Sequence, residues 1–175
     1  MKQFAIFVSR LFEPTLVFAV NALLAGIAAG LQADAFVWYL GILIFVMILP
    51  VVLFRVWLVK TKRVSDWDIR KRSQRIKPFL VLIGFVSINL LFIWWFGNVL
   101  LTRIYTVFLF WIVGFALITM RWKISGHTGA VALVSGLIIS WFGWAWWPVL
   151  FTIPLVGWSR IRTENHTARQ VIGGV

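Results

Sequence analysis

Residues 36–59 read FVWYLGILIFVMILPVVLFRVWLV, and this stretch decides the fold class. It contains a single charged side chain, Arg55, in a run longer than the roughly 20 apolar residues that an α-helix needs to cross a bilayer core. Pro50 lies inside the run, and lipid-embedded helices tolerate proline. The stretch therefore predicts a membrane-spanning helix.

The rest of the 175-residue chain has the same apolar character. Apolar side chains make up 62% of it and charged ones 13%, whereas soluble domains have about 45–50% and about 25%. A domain of this size cannot bury so much apolar surface within itself, so lipid must cover it. The composition excludes a cytosolic enzyme, and the lack of cysteine excludes a disulfide-stapled fold and every cysteine-based metal site.

The apolar runs predict an all-α, polytopic transmembrane bundle of about six spans, forming a single domain over residues 1–175. The runs are Leu16–Leu31, Phe36–Val59, Pro78–Phe96, Leu100–Met120 and Gly129–Trp158. The last run is too long for one span, and its tryptophan-rich centre predicts a tight turn near residues 143–148, which gives a fifth span and a short sixth. The polar C-terminal segment ends in what resembles the first turns of another helix.

The chain is strongly basic, with 17 Lys and Arg against 5 Asp and Glu and a net charge of +12. Such an excess indicates nucleic acid, anionic lipid or phosphate as a partner. The basic residues are scattered between apolar runs, so membrane lipid or a lipid phosphate is favoured and nucleic acid is not. In the six-span arrangement every Lys and Arg except Arg103 lies on one side, opposite a belt of aromatic residues that includes Trp38, Tyr39 and Trp144.

Residues 60–77 form the first of three polar segments. Ser65 with Asp68 three residues later resembles a capping box, which predicts a short helix here. On that helix Arg70 and Lys77, seven residues apart, share a face. The simplest interpretation of this segment alone is a juxtamembrane basic helix that is attracted to anionic headgroups.

The second polar segment, Ser125-Gly126-His127, lies at the start of the fifth predicted span. It offers a hydroxyl, backbone N–H groups and the positive end of a helix dipole, which together bind anions. The alternative for His127 is a polar cap at the membrane interface.

The third segment begins at Ser159 and contains Arg160, His166 and Gln170. Arg160 supplies a planar guanidinium suited to phosphate. If residues 166–170 are helical, the Gln170 amide oxygen can accept a hydrogen bond from His166. The imidazole would then present its other nitrogen as a nucleophile.

Together these segments resemble the type 2 phosphatidic acid phosphatase superfamily, membrane lipid phosphatases related to vanadium haloperoxidases. The family motifs Lys-x6-Arg-Pro, Pro-Ser-Gly-His and Ser-Arg-x5-His-x3-Asp correspond here to Arg70-x6-Lys77-Pro78, Ile124-Ser125-Gly126-His127 and Ser159-Arg160-x5-His166-x3-Gln170. Lys and Arg are exchanged in the first motif, Ile124 replaces a proline, and Gln170 replaces an aspartate. The family continues the last helix for another span, whereas this chain stops at Val175, so the final family helix reads as truncated.

The resemblance implies a metal-independent lipid phosphatase of the cell membrane that needs no cofactor. Its substrate would be of the phosphatidic acid, phosphatidylglycerol phosphate or polyprenyl diphosphate type. His166 is expected to attack phosphorus and form a phosphohistidine, His127 to act as general acid and then activate water, and Gln170 to orient His166. The residues expected to hold the phosphoryl oxygens are Arg70, Lys77, Ser125, Gly126 and Arg160.

The family usually places its site on the extracytoplasmic side, whereas the positive-inside rule predicts the cytoplasmic side for this chain. Two other functions are rivals of the phosphatase, and only the second of them stays open. A polyprenyl- or alcohol-phosphate transferase needs Mg²⁺ held by clustered carboxylates, but only Asp66 and Asp68 lie close together, and pairing with nearby arginines is their expected role. A non-catalytic basic membrane protein that binds anionic lipids, or an inactive relative, is the alternative because Gln170 stabilises imidazolium less than aspartate does. The lipid species and the oligomeric state stay open.

Overall fold

The computed structural model describes all residues from 1 to 175, and its regular secondary structure is all helical, without a strand, as the sequence predicts. The α-helices, in chain order, are α1 Lys2–Leu11, α2 Pro14–Ala28, α3 Ala33–Ile42, α4 Leu49–Lys60, α5 Ile76–Trp95, α6 Val99–Arg121, α7 Gly126–Phe142, α8 Thr152–Arg162 and α9 Ala168–Ile172. A π-helical segment, Leu43–Ile48, joins α3 to α4, and 3-10 segments cover Arg72–Gln74 and Trp144–Phe151.

Three helical stretches are long and apolar enough to cross a membrane. They are Ala33–Lys60 with 28 residues, Arg72–Trp95 with 24 and Val99–Arg121 with 23, and they match the second, third and fourth predicted spans. The pair α1 and α2 makes a fourth candidate if it counts as one span, with a bend of 43° between the two helices. The chain is therefore compatible with an integral membrane protein of three or four spans.

The last two predicted spans are not supported. Helix α7 has 17 residues and α8 has 11, both shorter than the roughly 20 that a bilayer core requires. Gly143 ends α7 with φ 87°, in the region that favours glycine, and a 3-10 segment of 8 residues containing Pro148 follows. The break falls at the predicted turn. The 3-10 segment extends to Phe151, however, so too few residues remain in α8 for a sixth span.

The second span continues through Pro50 by a local change in helical winding. Proline lacks an N–H, and its ring clashes with the carbonyl four residues earlier. The chain is π-helical over Leu43–Ile48, just before this proline, and returns to α-helix at Leu49. The wider π-helical turns relieve this conflict, so Ala33–Lys60 remains one continuous helix.

The helices belong to two compact units, which we describe separately. The terminal unit comprises Met1–Leu24 and Ile124–Val175, and the central unit comprises Ala25–Lys123. In the terminal unit, α8 packs against α1, α7 and α9. Three helices of this unit each contribute one buried valine to its apolar core: Val8, Val131 and Val156.

The central unit contains a buried pair of tyrosines. The hydroxyl groups of Tyr39 on α3 and Tyr105 on α6 lie 3.1 Å apart, within hydrogen-bond distance. Tyr39 is 1% exposed, so this member of the predicted aromatic belt faces the interior of the protein. Its neighbour Trp38 is 71% exposed, as an interfacial residue would be. Tyr39 is buried because its polar end pairs with another helix of the same unit.

The predicted helix over residues 65–77 is absent. Ile69 has φ 47°, only Arg72–Gln74 forms a short 3-10 turn, and α5 begins at Ile76. The hydroxyl of Ser65 donates to the carboxylate of Asp66 and does not cap a helix. As a consequence, Arg70 and Lys77 are not two turns apart on one helical face.

Contacts within the central unit explain this irregular path. The guanidinium of Arg55 donates two hydrogen bonds to the Trp67 carbonyl, at 2.6 and 3.1 Å, and Arg75 donates to the Ile69 carbonyl at 2.8 Å. Ile69 is also buried, together with Val64 and Leu58. These contacts outweigh a local helix signal that is weak without packing.

Candidate active site

The predicted anion-binding segment is the N-terminus of α7. Ser125 is the N-cap residue, and its hydroxyl oxygen accepts a hydrogen bond from Thr128 N at 3.4 Å. Gly126 is the first residue of the helix, where the N–H lies outside the intrahelical ladder. Ser125 is fully buried and Gly126 is partly exposed, so the backbone at Gly126 is the more accessible of the two predicted phosphate contacts.

Arg160 lies in the last turn of α8 and is the largest fully buried side chain of the protein, at 2% exposure. Its guanidinium donates a hydrogen bond to the Ser9 hydroxyl on α1, with a donor–acceptor distance of 2.5 Å. Its main-chain carbonyl accepts from Asn165 N at 3.1 Å and from His166 N at 3.2 Å. The turn that follows α8, with φ 60° at Glu164, therefore holds the backbone of His166 against Arg160.

Gln170 has a different partner from the predicted one. His166 precedes the extended N-cap residue Thr167, so the pair His166 and Gln170 is not spaced along a helix. The amide oxygen of Gln170 accepts from Thr167 N at 3.3 Å, and Thr167 accepts from Gln170 N in return. Gln170 thus completes a capping box of α9, which displaces its predicted role as the residue that orients His166.

The second and third polar segments meet in the terminal unit. Ser125 N donates to the Gln170 carbonyl at 3.0 Å, and the Thr128 hydroxyl lies 3.3 Å from the Val171 carbonyl. Gly174 lies against the same helix start. These contacts join the beginning of α7 to α9 by main-chain and side-chain hydrogen bonds.

Both histidines belong to this part of the terminal unit. His127 is in the first turn of α7, next to the N-cap, and His166 comes two residues before α9. Each is 6% exposed. Two buried imidazoles and one buried guanidinium therefore lie on segments that are tied together directly through the main chain.

The residues of the first motif belong to the central unit. Arg70 is exposed, and its backbone N–H donates to the Asp66 carboxylate at 3.3 and 3.4 Å. Lys77 is exposed in the first turn of α5. The carboxylate of Asp66 thus supports the backbone of the irregular segment, where an ion pair with Arg70 along a helix was expected.

No group of three or more His, Asp or Glu residues is arranged to hold a metal ion. The side chains carried by these joined segments are imidazole, hydroxyl, amide and guanidinium groups. They can donate hydrogen bonds to an anion, and imidazole can also transfer protons or act as a nucleophile.

A largely apolar groove of about 380 Å³ runs between α8 and α9. Trp158 and Ile161 line it from α8, Val171 and Ile172 line it from α9, and Arg162 adds one cationic group. Gly157 forms part of its wall, and an added Cβ there would lie 2.7 Å from the Val171 side chain. The two helices can therefore pack closely beside the turn that carries His166.

Three residues of this site were not identified from the sequence: Ser9, Thr128 and Gly174. Ser9 gave a faint signal as the one polar member of the buried face of α1, whose other members are Ala5 and Val8.

Comparisons with protein-family models, with curated proteins and with solved structures found no match.

Proposed function

We propose that this chain is an integral-membrane lipid phosphate phosphatase. Its substrate is a phosphomonoester or diphosphate of a lipid, of the phosphatidic acid, phosphatidylglycerol phosphate or polyprenyl diphosphate type. The reaction proceeds through a phosphohistidine on His166 and needs no metal ion. The observation that carries the proposal is the hydrogen-bonded junction of the α7 start, which carries His127, with α9, which directly follows His166. The main-chain carbonyl of the buried Arg160 accepts from His166 N.

In the first step a ring nitrogen of neutral His166 attacks the phosphorus. A P–N bond forms and the P–O bond to the leaving group breaks, while His127 donates a proton to the departing oxygen. The leaving group is the lipid alcohol for a monoester and the lipid monophosphate for a diphosphate. The equatorial oxygens of the phosphoryl group carry the charge in the transition state, so Arg160 and the N-terminus of α7 stabilise them. Such preorganised electrostatic contacts are usually the largest single contribution to rate enhancement.

In the second step His127, now neutral, takes a proton from water. The water oxygen attacks phosphorus, the P–N bond breaks, and inorganic phosphate leaves with His166 returned to its starting state. Arg70 and Lys77 belong to the central unit, and their role as phosphate-binding residues stays a prediction from the sequence motif alone. The asymmetry of basic residues adds that the site opens to the cytoplasm.

The test is release of inorganic phosphate by the purified full chain in detergent, with a chelator present, from a panel of lipid phosphates. We expect turnover by the wild type and a loss of more than about a hundredfold in His166→Ala. Arg169→Ala, an exposed cation three residues from His166, is the matched control and should retain activity. Equal rates for wild type and His166→Ala on every lipid would refute the phosphatase proposal.

The intermediate provides a second test. After brief incubation with a lipid labelled in its phosphate with ³²P, wild-type protein should carry an acid-labile label. His166→Ala should carry none, because the P–N bond has no other donor in the proposed mechanism. An equal label on both proteins would place the nucleophile elsewhere.

A non-catalytic protein that binds anionic lipids is the second candidate. It is favoured by the exposed cations of the segment from 60 to 77, which are Lys60, Lys62, Arg63, Arg70, Lys71, Arg72 and Lys77. Such a cluster is attracted to anionic headgroups by roughly 1 kcal/mol per basic residue. Binding to anionic vesicles without turnover of any lipid phosphate would support this candidate.

A further inference from the structure

Helix α1 is attached to α8 by its narrow buried face. That face consists of Ala5, Val8 and Ser9. Val8 packs with Val131 and Val156 in the apolar core of the terminal unit. On the side toward the chain start, the ring of Phe4 lies 6.0 Å from that of Trp158. Apolar contacts of Phe4 and Val8 therefore hold α1 in place next to the one polar residue of the face.

The polar residue of this face meets the guanidinium of the candidate site. Ser9 is 6% exposed and Arg160 is 2% exposed, and the hydrogen bond between them is 2.5 Å long. An arginine side chain has several rotatable bonds, and a fixed acceptor restricts the plane in which its N–H donors point. Because the Ser9 hydroxyl is neutral, it can orient the guanidinium without cancelling its positive charge.

The same arginine is linked to His166 through the main chain, since its carbonyl accepts from His166 N at 3.2 Å. Residue 160 is thus held at its side chain by α1 and at its carbonyl by the segment that carries the proposed nucleophile. A change in the plane of the guanidinium would alter its proposed contacts with phosphate. The backbone hydrogen bond between residue 160 and His166 would stay in place. This separation makes the contribution of Ser9 measurable.

We infer that Ser9 is a positioning residue: its hydroxyl sets the guanidinium of Arg160 for the phosphoryl oxygens, so α1 is part of the phosphate-binding site. The inference rests on the proposed phosphatase function, which it deepens. Ser9 itself does not touch the substrate. Its effect is therefore expected in binding of the phosphate group more than in the capacity of His166 to react.

The experiment compares Ser9→Ala with the wild type in the full chain. We expect KM for the lipid phosphate to rise about tenfold, and inhibition by inorganic phosphate to weaken by a similar factor, because a hydrogen bond that orients a charged group is lost. The value of kcat should fall much less. Ser9→Thr retains the hydroxyl and should restore both KM and phosphate inhibition toward the wild-type values.

Ser135→Ala is the matched control. Ser135 is a buried serine of α7 in the same unit, and its hydroxyl donates to the Val149 carbonyl at 3.4 Å, away from Arg160. It should leave KM and phosphate inhibition unchanged. Equal effects of Ser9→Ala and Ser135→Ala, no effect of Ser9→Ala, or equal losses in Ser9→Ala and Ser9→Thr would each overturn the inference.

A binding readout separates this inference from the proposed function. Inorganic phosphate should raise the thermal unfolding midpoint of the wild type, and Ser9→Ala should reduce that rise. If turnover is absent but this difference persists, the phosphatase proposal fails and the positioning role stands. If wild type and Ser9→Ala have equal turnover and equal phosphate stabilisation, the positioning role fails and the phosphatase proposal stands.

Discussion

Gly174 lies so close to the start of α7 that an added Cβ would come within 2.6 Å of the Ser125 carbonyl oxygen and 2.7 Å of the Thr128 hydroxyl. The nearest atom belongs to the backbone of a helix N-cap, so it cannot move without moving the helix start. The absence of a side chain at this position is therefore a condition for the contact between the two segments of the candidate site.

We predict that Gly174→Ala lowers the free energy of unfolding by about 1–3 kcal/mol, because overpacking forces the backbone apart. Phosphatase activity should fall with it, since the helix start carries His127. Thermal unfolding followed by circular dichroism measures the first effect. Gly136→Ala on α7 is the control, because an added Cβ there meets nothing within 4 Å and alanine favours a helix. Wild-type stability of Gly174→Ala would contradict the prediction.

At single residues, the sequence was a better guide to position than to partner. The segments containing His127, Arg160 and His166 were expected to come together, and hydrogen bonds within the terminal unit join them. The predicted partner of Gln170 was wrong, although Thr167-x-x-Gln170 matches the capping-box pattern and gave a usable signal. Ser9 lies 151 residues from Arg160 along the chain, and a lone serine in an apolar stripe does not indicate which residue it contacts.

The conformation of the segment between α4 and α5 is held by contacts of Arg55, a residue of α4, with Trp67 in the segment. Arg55 donates twice to the Trp67 carbonyl, and its guanidinium carbon lies 4.4 Å from the centre of the Trp67 ring. Arg63 stacks similarly on Trp57, at 4.3 Å, but both of those residues are exposed. The two arginines thus share a stacking contact and differ in burial and in the carbonyl that Arg55 engages.

We predict that Arg55→Lys destabilises the protein by about 1–2 kcal/mol, since lysine cannot reproduce the planar pair of donors or the stacking. Arg63→Lys is the matched control and should have a smaller effect, because exposed cation–π contacts are weak. The thermal unfolding midpoints of the two variants, measured in the same detergent, compare the two effects on stability. Equal midpoints would indicate that the carbonyl contacts of Arg55 add nothing to stacking.

At the scale of elements, the sequence predicted long apolar helices correctly and irregular segments poorly. Composition and length alone identify Ala33–Lys60 as a candidate span, because a compact unit of this size could not bury so long an apolar helix on all sides. The failure at residues 65–77 has a tertiary cause, since Ile69 is buried and its carbonyl accepts from Arg75. The short α7 and α8 follow from Gly143 and the 3-10 turns, whose length the tryptophan pattern does not specify.

The distribution of charge over the whole chain bears on its orientation, and the helix Ala33–Lys60 offers a way to measure it. With 28 residues at about 1.5 Å each, this helix exceeds the thickness of a bilayer core, so its ends lie on opposite sides if it crosses. The exposed cations from Lys60 onward adjoin one end, while the other end carries Asp34. The positive-inside rule then predicts that the Lys60 end faces the cytoplasm.

We predict that a cysteine at Ser73 is protected from a membrane-impermeant maleimide in intact cells and that a cysteine at Ala33 is labelled. Both positions are exposed, and the chain has no other cysteine, so each label reports one site. Permeabilised cells, in which both variants should react, are the control for accessibility. The reverse pattern would place the basic segment outside, in agreement with the family precedent and against the positive-inside argument. Labelling of both in intact cells would instead show that Ala33–Lys60 does not separate its two ends, which would remove the transmembrane interpretation of the most apolar of the three candidate spans.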